Sequence, residues 1–287
     1  MKKILIFFLS YQNFLFCQFN PVSLISGQIN NRQLDNNLEV GTISGNISVS
    51  PTGSATYNIP LELPKGVGDI SPKISISYNQ QSTNGLLGFG WSVDGLSSIM
   101  RTTNSLYYDE YKSSINLDIY DAISLDNQRL LPISGGILSN GSIYGFEIED
   151  YTRVEITTGG INGSSPEIFE VKKDNGIIAQ YGGNNSFMQS TSGIKYIWRL
   201  NKMYDNSGNY INYVYGNRGP NYTGESYIDY IEYTGNTILG IAPQIKIKFN
   251  YGLFTKLPYS YVCGNEVSRE LILTSIDIYV SNIKIRV

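Results

Sequence analysis

The chain has 287 residues, a formal net charge of −3 and only 16% charged residues, with no basic stripe of the kind that marks nucleic-acid-binding proteins. It contains no histidine, which excludes Ser-His-Asp and Cys-His catalysis and histidine-based metal sites. The 23 tyrosines and 29 glycines favour an all-β protein, because tyrosine suits pleated, half-buried surfaces and glycine supplies turns.

Residues 1–17 have the pattern of a secretory signal peptide, with a basic start followed by an apolar run that is too short for a membrane-spanning helix. Its removal would leave Cys263 as the single cysteine, so we expect no internal disulfide. Whether Cys17 carries a lipid anchor stays open. The Asn-rich segment 18–40 is interpreted as a flexible leader. We therefore expect a secreted, extracellular protein without a stable membrane span.

From residue 41 onwards, apolar and polar side chains alternate with the period of two that is typical of strands, most clearly at 73–78. Glycine- and asparagine-rich turns separate these segments, and no window of helical length keeps a 3.6-residue period. The pattern predicts one all-β domain over 41–287, built of many short antiparallel strands as a sandwich or an open shell, with little or no helix. The apolar alternation at 273–287 predicts a final strand with an unpaired edge. We accordingly expect the domain to be truncated at its C-terminus.

A glycine-rich segment follows the first alternating strands. Gly85, Gly88 and Gly90 form G-x-x-G-x-G, the reverse of the dinucleotide-binding order, and strand-like alternation follows them instead of the helix that a phosphate loop needs. We interpret the segment as a tight corner between strands, in which glycines allow the bend and Trp91 fills the core. Arg101, at the end of the segment, either anchors a carboxylate or is solvated.

A second turn motif lies at 203–219. Tyr204 and Asp205 are followed, after two residues, by Gly208 and Asn209, and then by alternating tyrosine and apolar residues. This spacing predicts a turn leading into a strand, with Asp205 capping the turn and Gly208 at positive φ. A calcium loop is disfavoured, because the segment lacks the terminal glutamate that completes the oxygen ligands of an EF-hand.

Three further groups are candidates for catalysis. Ser190–Ser192 matches the S-T-S strand of arginine-specific ADP-ribosyltransferases, but the E-x-E segment of Glu147 and Glu149 lies upstream instead of downstream, which favours a polar turn. Glu147 and Glu149 would share one face of a strand, and they or Asp109 and Glu110 have the chemistry for acid–base work, although a solvated face is favoured. The sequence therefore predicts no catalytic, metal-binding or cofactor-binding residue.

Residues 51–101 resemble the opening signature of the SpvB family. Its elements stand in order as G-x-A-x-Y-x-I-P-L-x-L-P from Gly53, P-x-I-S-I-S-Y-N from Pro72, N-G-x-L-G-x-G-W from Asn84, and I-x-R from Ile99. The segment ISLDNQRLL resembles a later block, with Asn127 in place of the family's glycine. The unit at 203–215 is similar to a YD (RHS) repeat. The resemblance extends over about residues 41–280.

This resemblance implies the N-terminal region of virulence proteins and of the B component of insecticidal toxin complexes. In those relatives, β-sheets and YD repeats build a hollow shell around a C-terminal toxic polypeptide. The family's ADP-ribosyltransferase domain, long YD-repeat array and self-cleavage segment have no counterpart in this sequence. The resemblance therefore implies a non-enzymatic scaffold segment, with a downstream YD-repeat or toxin polypeptide, and a host surface, as partners.

Two alternatives remain open. One is an extracellular module that binds glycans or proteins through exposed tyrosine and tryptophan side chains. The other is a hydrolase that uses paired carboxylates.

Overall fold

The computed structural model describes residues 45–68, 70–160, 165–218, 225–253, 260–262, 264–267 and 270–286. The predicted signal peptide and leader, as well as Cys263, lie outside the described residues.

Strands dominate the described part of the chain, which confirms the all-β prediction. The strands are β1 (Asn46–Val49), β2 (Ala55–Pro60), β3 (Ser75–Asn79), β4 (Asn84–Gly85), β5 (Gly88–Phe89), β6 (Trp91–Asp94), β7 (Ser98–Thr102), β8 (Ala122–Leu125), β9 (Gln128–Ser134), β10 (Ile143–Phe146), β11 (Arg153–Gly159), β12 (Pro166–Lys172), β13 (Ile178–Gly182), β14 (Phe187–Gln189), β15 (Lys195–Tyr204), β16 (Asn209–Arg218), β17 (Glu225–Asn236), β18 (Ile245–Leu253), β19 (Ser260–Val262), β20 (Asn265–Val267), β21 (Leu271–Val280) and β22 (Ile283–Arg286). A single helical turn, α1 (Leu106–Asp109), interrupts them and is capped by Ser105.

Eight of these strands close into a barrel. They follow one another as β13-β12-β11-β10-β9-β8-β7-β15, all antiparallel, and β15 pairs back with β13 to complete the ring. Inside, alternate side chains form a core in which Trp198 is fully buried and packs edge-on against Phe169, with ring centroids 5.0 Å apart. Closure pairs the backbone groups that an edge strand would leave open.

The same sheet continues beyond the barrel as an open extension. Strand β15 is shared, because its first half pairs with β7 while its second half pairs with both β13 and β16. From β16 the order runs β17, β18, β21 and β22, and β17 is 12 residues long. We call β16, β17, β18, β21 and β22 the open sheet.

A second, four-stranded sheet of order β1-β2-β3-β6 packs against the open sheet. The Tyr233 hydroxyl donates to the carbonyl oxygen of Pro64 at 2.7 Å, and the amide of Leu273 donates to the carbonyl oxygen of Leu86, also at 2.7 Å. Apolar side chains of both layers, including Leu61 and Ile76, extend the core across this contact. The small sheet and its adjoining loops therefore contact the open sheet at β17 and β21.

Two hairpins, β4–β5 and β19–β20, form separate two-stranded sheets. Within the described ranges, the structure contains no helix with the length and apolar character needed to cross a membrane.

Candidate functional site

The glycine-rich segment forms a sharp corner at the start of β6. Gly85 and Gly88 pair across the β4–β5 hairpin, and Gly88 and Gly90 adopt positive φ angles of 109° and 81°. These angles favour glycine. A Cβ on Gly85 would lie 1.7 Å from the carbonyl oxygen of Trp91, so the backbones approach too closely for any side chain. A strand follows this corner, so no helix N-terminus is presented to a phosphate.

Trp91 does not fill the core as the sequence suggested. It is half-buried and packs on Tyr78 of the neighbouring strand, with ring centroids 5.2 Å apart. The tryptophan of the main core is Trp198, whose indole nitrogen donates to the carbonyl oxygen of Pro166 at 2.8 Å. The reason is positional, since Trp91 lies on β6 at the edge of the small sheet, whereas Trp198 lies on the strand shared by barrel and open sheet.

Arg101 anchors a buried carboxylate, which decides between the two alternatives left by the sequence. Its Nη1 lies 3.0 Å from Asp121 Oδ2, and both side chains are almost fully buried. Its Nε donates to the carbonyl oxygen of Lys195 at 2.9 Å, and Nη1 also donates to the carbonyl oxygen of Asp118. The guanidinium lies 5.9 Å from the ring centroid of Trp198. Arg101 thus ties β7 to β15 inside the barrel.

The turn at Asp205 joins β15 to β16. Asp205 Oδ1 accepts hydrogen bonds from the amides of Ser207 and Asn209, and Oδ2 accepts from the Asn209 side chain, each at 2.9 Å. Gly208 has a φ of 82°. Tyr204, the last residue of β15, pairs with Tyr210 across the hairpin. Both carboxylate oxygens of Asp205 are therefore engaged within the turn.

The candidate catalytic groups separate in the structure. Glu147 and Glu149 follow β10 in an irregular segment, so the expectation that they share a strand face is wrong. Glu149 pairs with Arg153 at 2.8 Å, and Asp109 pairs with Arg129 at 2.5 Å.

Two of the remaining candidates lie in turns. Glu110 is the left-handed residue that ends α1. Ser190 closes a polar turn, in which its hydroxyl oxygen accepts from the amide of Ile194 at 3.1 Å.

Sequence reasoning missed a cleft beside α1, which we call the tyrosine cleft. The hydroxyls of Tyr107 and Tyr108 donate to Glu147, at 2.9 Å and 2.5 Å. These two hydrogen bonds lower the pKa of the Glu147 carboxyl below its ordinary value. The cleft has a volume of about 460 Å³ and is lined by Tyr108, Gln128, Arg129, Phe146, Glu147, Ile148 and Asp150. In the sequence, the indication of this cleft is the group of tyrosines at 107–111, whose spacing does not follow the period of two that is typical of strands.

The open sheet ends in an exposed strand, which we call the β22 edge. Among the described strands, β22 pairs only with β21. Ile283 and Ile285, two residues apart on this strand, are 69% and 53% exposed. An apolar edge strand of this kind is a template for pairing with another chain segment.

Comparison with protein families gives one match. The family model described as "SpvB: Salmonella virulence plasmid 65kDa B protein" matches residues 49–238. No curated protein sequence matches the chain.

Solved structures share this fold at low sequence identity. The N-terminal domain of effector protein SpvB from Salmonella typhimurium strain LT2 aligns with a TM-score of 0.60 and 16% identity, covering 77% of this chain and 87% of that one. The crystal structure of TcdB2-TccC3 aligns with a TM-score of 0.64 and 16% identity, covering 83% of this chain. The Photorhabdus luminescens Tc holotoxin pore aligns with a TM-score of 0.61 and 15% identity, covering 84%. This chain spans only 14% of the length of each of these two toxin chains.

Proposed function

This chain belongs to the SpvB family, and we propose that it is a non-enzymatic β-scaffold segment of a secreted, toxin-complex-like virulence protein. In this proposal, the chain forms part of a wall that encloses or delivers a toxic polypeptide. Its partner is a YD-repeat or toxin polypeptide, encoded downstream in the same or a separate chain.

The observation that carries the proposal is the β22 edge. Strand β22 is the last in the strand order of a fourteen-stranded sheet and pairs antiparallel with β21. Its two isoleucines, Ile283 and Ile285, are exposed. Main-chain hydrogen bonds from an added strand would continue the sheet, and the isoleucines would gain apolar neighbours. The wall would thus extend from the barrel through the open sheet into the partner.

The relatives support this proposal by analogy of fold. The TcdB2-TccC3 and TcdB2-TccC3-Cdc42 structures and the Tc holotoxin pore each contain this fold as a small part of a much longer chain. A fold alone does not define a function, so the step from those assemblies to this chain is part of the proposal.

Co-expression with the polypeptide encoded immediately downstream tests the proposal. We expect the two to co-purify, and we expect the β22 amides to exchange hydrogen more slowly in the complex than in the chain alone. Ile283→Lys should weaken the complex, because it places a charge where the partner strand would pack.

Ile47→Lys is the matched control for this experiment. Ile47 lies on β1, the edge strand of the small sheet, and is 81% exposed. We expect this substitution to leave the complex intact. Unchanged hydrogen exchange at β22 in the presence of the downstream polypeptide would contradict the proposal.

A further inference from the structure

We infer that the tyrosine cleft is a binding site for a neutral oligosaccharide. This inference rests on the side chains around α1 and is independent of the scaffold proposal, which rests on the β22 edge of the open sheet.

The first observation is an exposed pair of aromatic rings held in a fixed geometry. Tyr107 and Tyr108 pack edge-on with ring centroids 4.7 Å apart and an interplanar angle of 85°. Tyr107 lies beside the lining of the cleft and not in it, but its hydroxyl is held by Glu147 of the lining and the residue is 77% exposed. An exposed aromatic face that is already immobilised can take up the C–H face of a sugar ring at a small entropic cost.

The second observation is the mixture of donors and acceptors in the cleft. Glu147 and Asp150 supply carboxylate oxygens, while Gln128 and Arg129 supply N–H donors. Each Glu147 oxygen accepts one tyrosine hydroxyl and retains capacity for a second hydrogen bond. Arg129 is oriented by Asp109 at 2.5 Å. Neighbouring sugar hydroxyls both donate and accept, so they match such a mixed set.

Arg129 offsets part of the negative charge that Glu147 and Asp150 bring to the cleft, and it occupies the position where a cationic ligand would stack. Arg129 lines the cleft and lies 5.9 Å from the ring centroid of Tyr108, where a bound cation would otherwise stack. The lowered pKa of Glu147 keeps this carboxyl ionised in neutral and mildly acidic solution, as an acceptor and not a proton donor. Glu147 is therefore suited to accept hydrogen bonds from the hydroxyls of a bound sugar.

The dimensions of the cleft are compatible with this ligand class. Its volume of about 460 Å³ lies within the range of small-molecule sites. Phe146 and Ile148 give it apolar walls beside the polar groups, which is the usual mixture of such sites.

Binding of the intact chain to immobilised cello-, malto- and chito-oligosaccharides tests the inference, followed by titration calorimetry with the best of them. We expect Tyr107→Ala to weaken binding about fivefold, through loss of ring stacking. Glu147→Gln should weaken it about tenfold, because a charge-assisted acceptor is replaced by a neutral one. Both side chains lie at the surface, so the melting temperature should stay unchanged.

Tyr261→Ala is the matched control, since Tyr261 is 67% exposed but lies on the separate β19–β20 hairpin. It should bind saccharide as the unmodified chain does. Equal binding by Tyr107→Ala, or binding of an oligolysine peptide with none of the saccharides, would overturn the inference. Absence of binding to every saccharide of the panel would also overturn it, and the co-expression result would be unaffected.

Discussion

The barrel and the open sheet are built from one continuous ladder of antiparallel strands, yet they end differently. The barrel returns on itself through β15 and β13, and its core contains a fully buried tryptophan and a buried ion pair. The open sheet runs outward to β22, where two isoleucines lie at the surface. Closure pairs both edges of the barrel, whereas the last strand of the open sheet has one neighbour among the described strands.

Strand β15 is the position where this difference originates. Its ten residues are divided between the two regions, with Trp198 facing the barrel core and Lys202–Tyr204 pairing with β16 of the open sheet. Stability should therefore depend most on the barrel side of β15, and association should depend most on the far edge of the open sheet. The following experiments separate the two.

Trp198→Ala should have the largest effect on stability. The side chain is fully buried against Phe169, and its removal should lower the free energy of unfolding by about 4 kcal/mol. Trp91→Ala is the control and should cost only about 1–2 kcal/mol, because its side chain is only partly buried. Urea unfolding of both variants measures the difference. Equal losses would mean that the small sheet contributes to the core as much as the barrel does.

Asp121→Ala should have the next largest effect. It leaves the Arg101 guanidinium buried without its carboxylate, at a cost of about 3 kcal/mol. Asp229→Ala removes the corresponding pair in the open sheet, where Asp229 and Lys248 are each about one-third exposed, and should cost under about 1 kcal/mol. Thermal unfolding of the two variants at equal ionic strength checks the contrast. A larger loss for Asp229→Ala would reverse the comparison.

Local patterns in the sequence predict the strands and turns well. The alternation at 73–78 corresponds to β3, and the spacing of Asp205 and Gly208 predicts the turn before β16. This strand and this turn each depend on residues that are close together in the chain. Their periodicity and their φ preferences follow directly from the residue types. The resemblance to the SpvB family is likewise confirmed by the family model, while the similarity of 203–215 to a YD repeat stays a prediction.

Long-range pairings could not be predicted in the same way. Closure of the barrel depends on β15 meeting β7 almost a hundred residues earlier, and Arg101 finds its partner Asp121 twenty residues away. For the same reason, the alternation predicts a core position for Trp91 and gives no link between Glu147 and Tyr107. Alternation places a side chain on one face of a strand but does not show what covers that face.

Tyr215→Phe should stabilise the protein by about 1 kcal/mol. The Tyr215 hydroxyl is buried at the junction of barrel and open sheet and has no hydrogen-bond partner among the described residues, so its removal relieves a desolvation cost. Tyr233→Phe is the control, because its hydroxyl donates to Pro64, and it should lose about 1 kcal/mol. Urea unfolding at neutral pH distinguishes the two signs.

Tyr215→Phe should also change how the free energy of unfolding depends on pH. Burial raises the pKa of Tyr215 to about 12, whereas the unfolded chain ionises near the ordinary value of 10.0. The folded state therefore holds the hydroxyl proton more tightly than the unfolded chain does. Below about pH 10 the hydroxyl is protonated in both states and ionisation does not reduce stability. As the pH rises from 10 towards 12, the unfolded chain ionises first and the free energy of unfolding falls. Tyr215→Phe should lose stability less steeply over this window. Parallel curves for the two proteins would contradict the burial of this hydroxyl.

Ile285→Lys at the β22 edge should have the smallest effect on stability, within about 0.5 kcal/mol, because the side chain is mostly exposed. It should nevertheless reduce self-association in sedimentation experiments at high protein concentration, since a lysine on an edge strand opposes strand addition. Ile278→Lys on the neighbouring β21 is buried and should unfold the protein instead. If Ile285→Lys destabilised the chain as strongly as Ile278→Lys, the side chains of the β22 edge would belong to the core. The open sheet would then not differ from the closed barrel at β22.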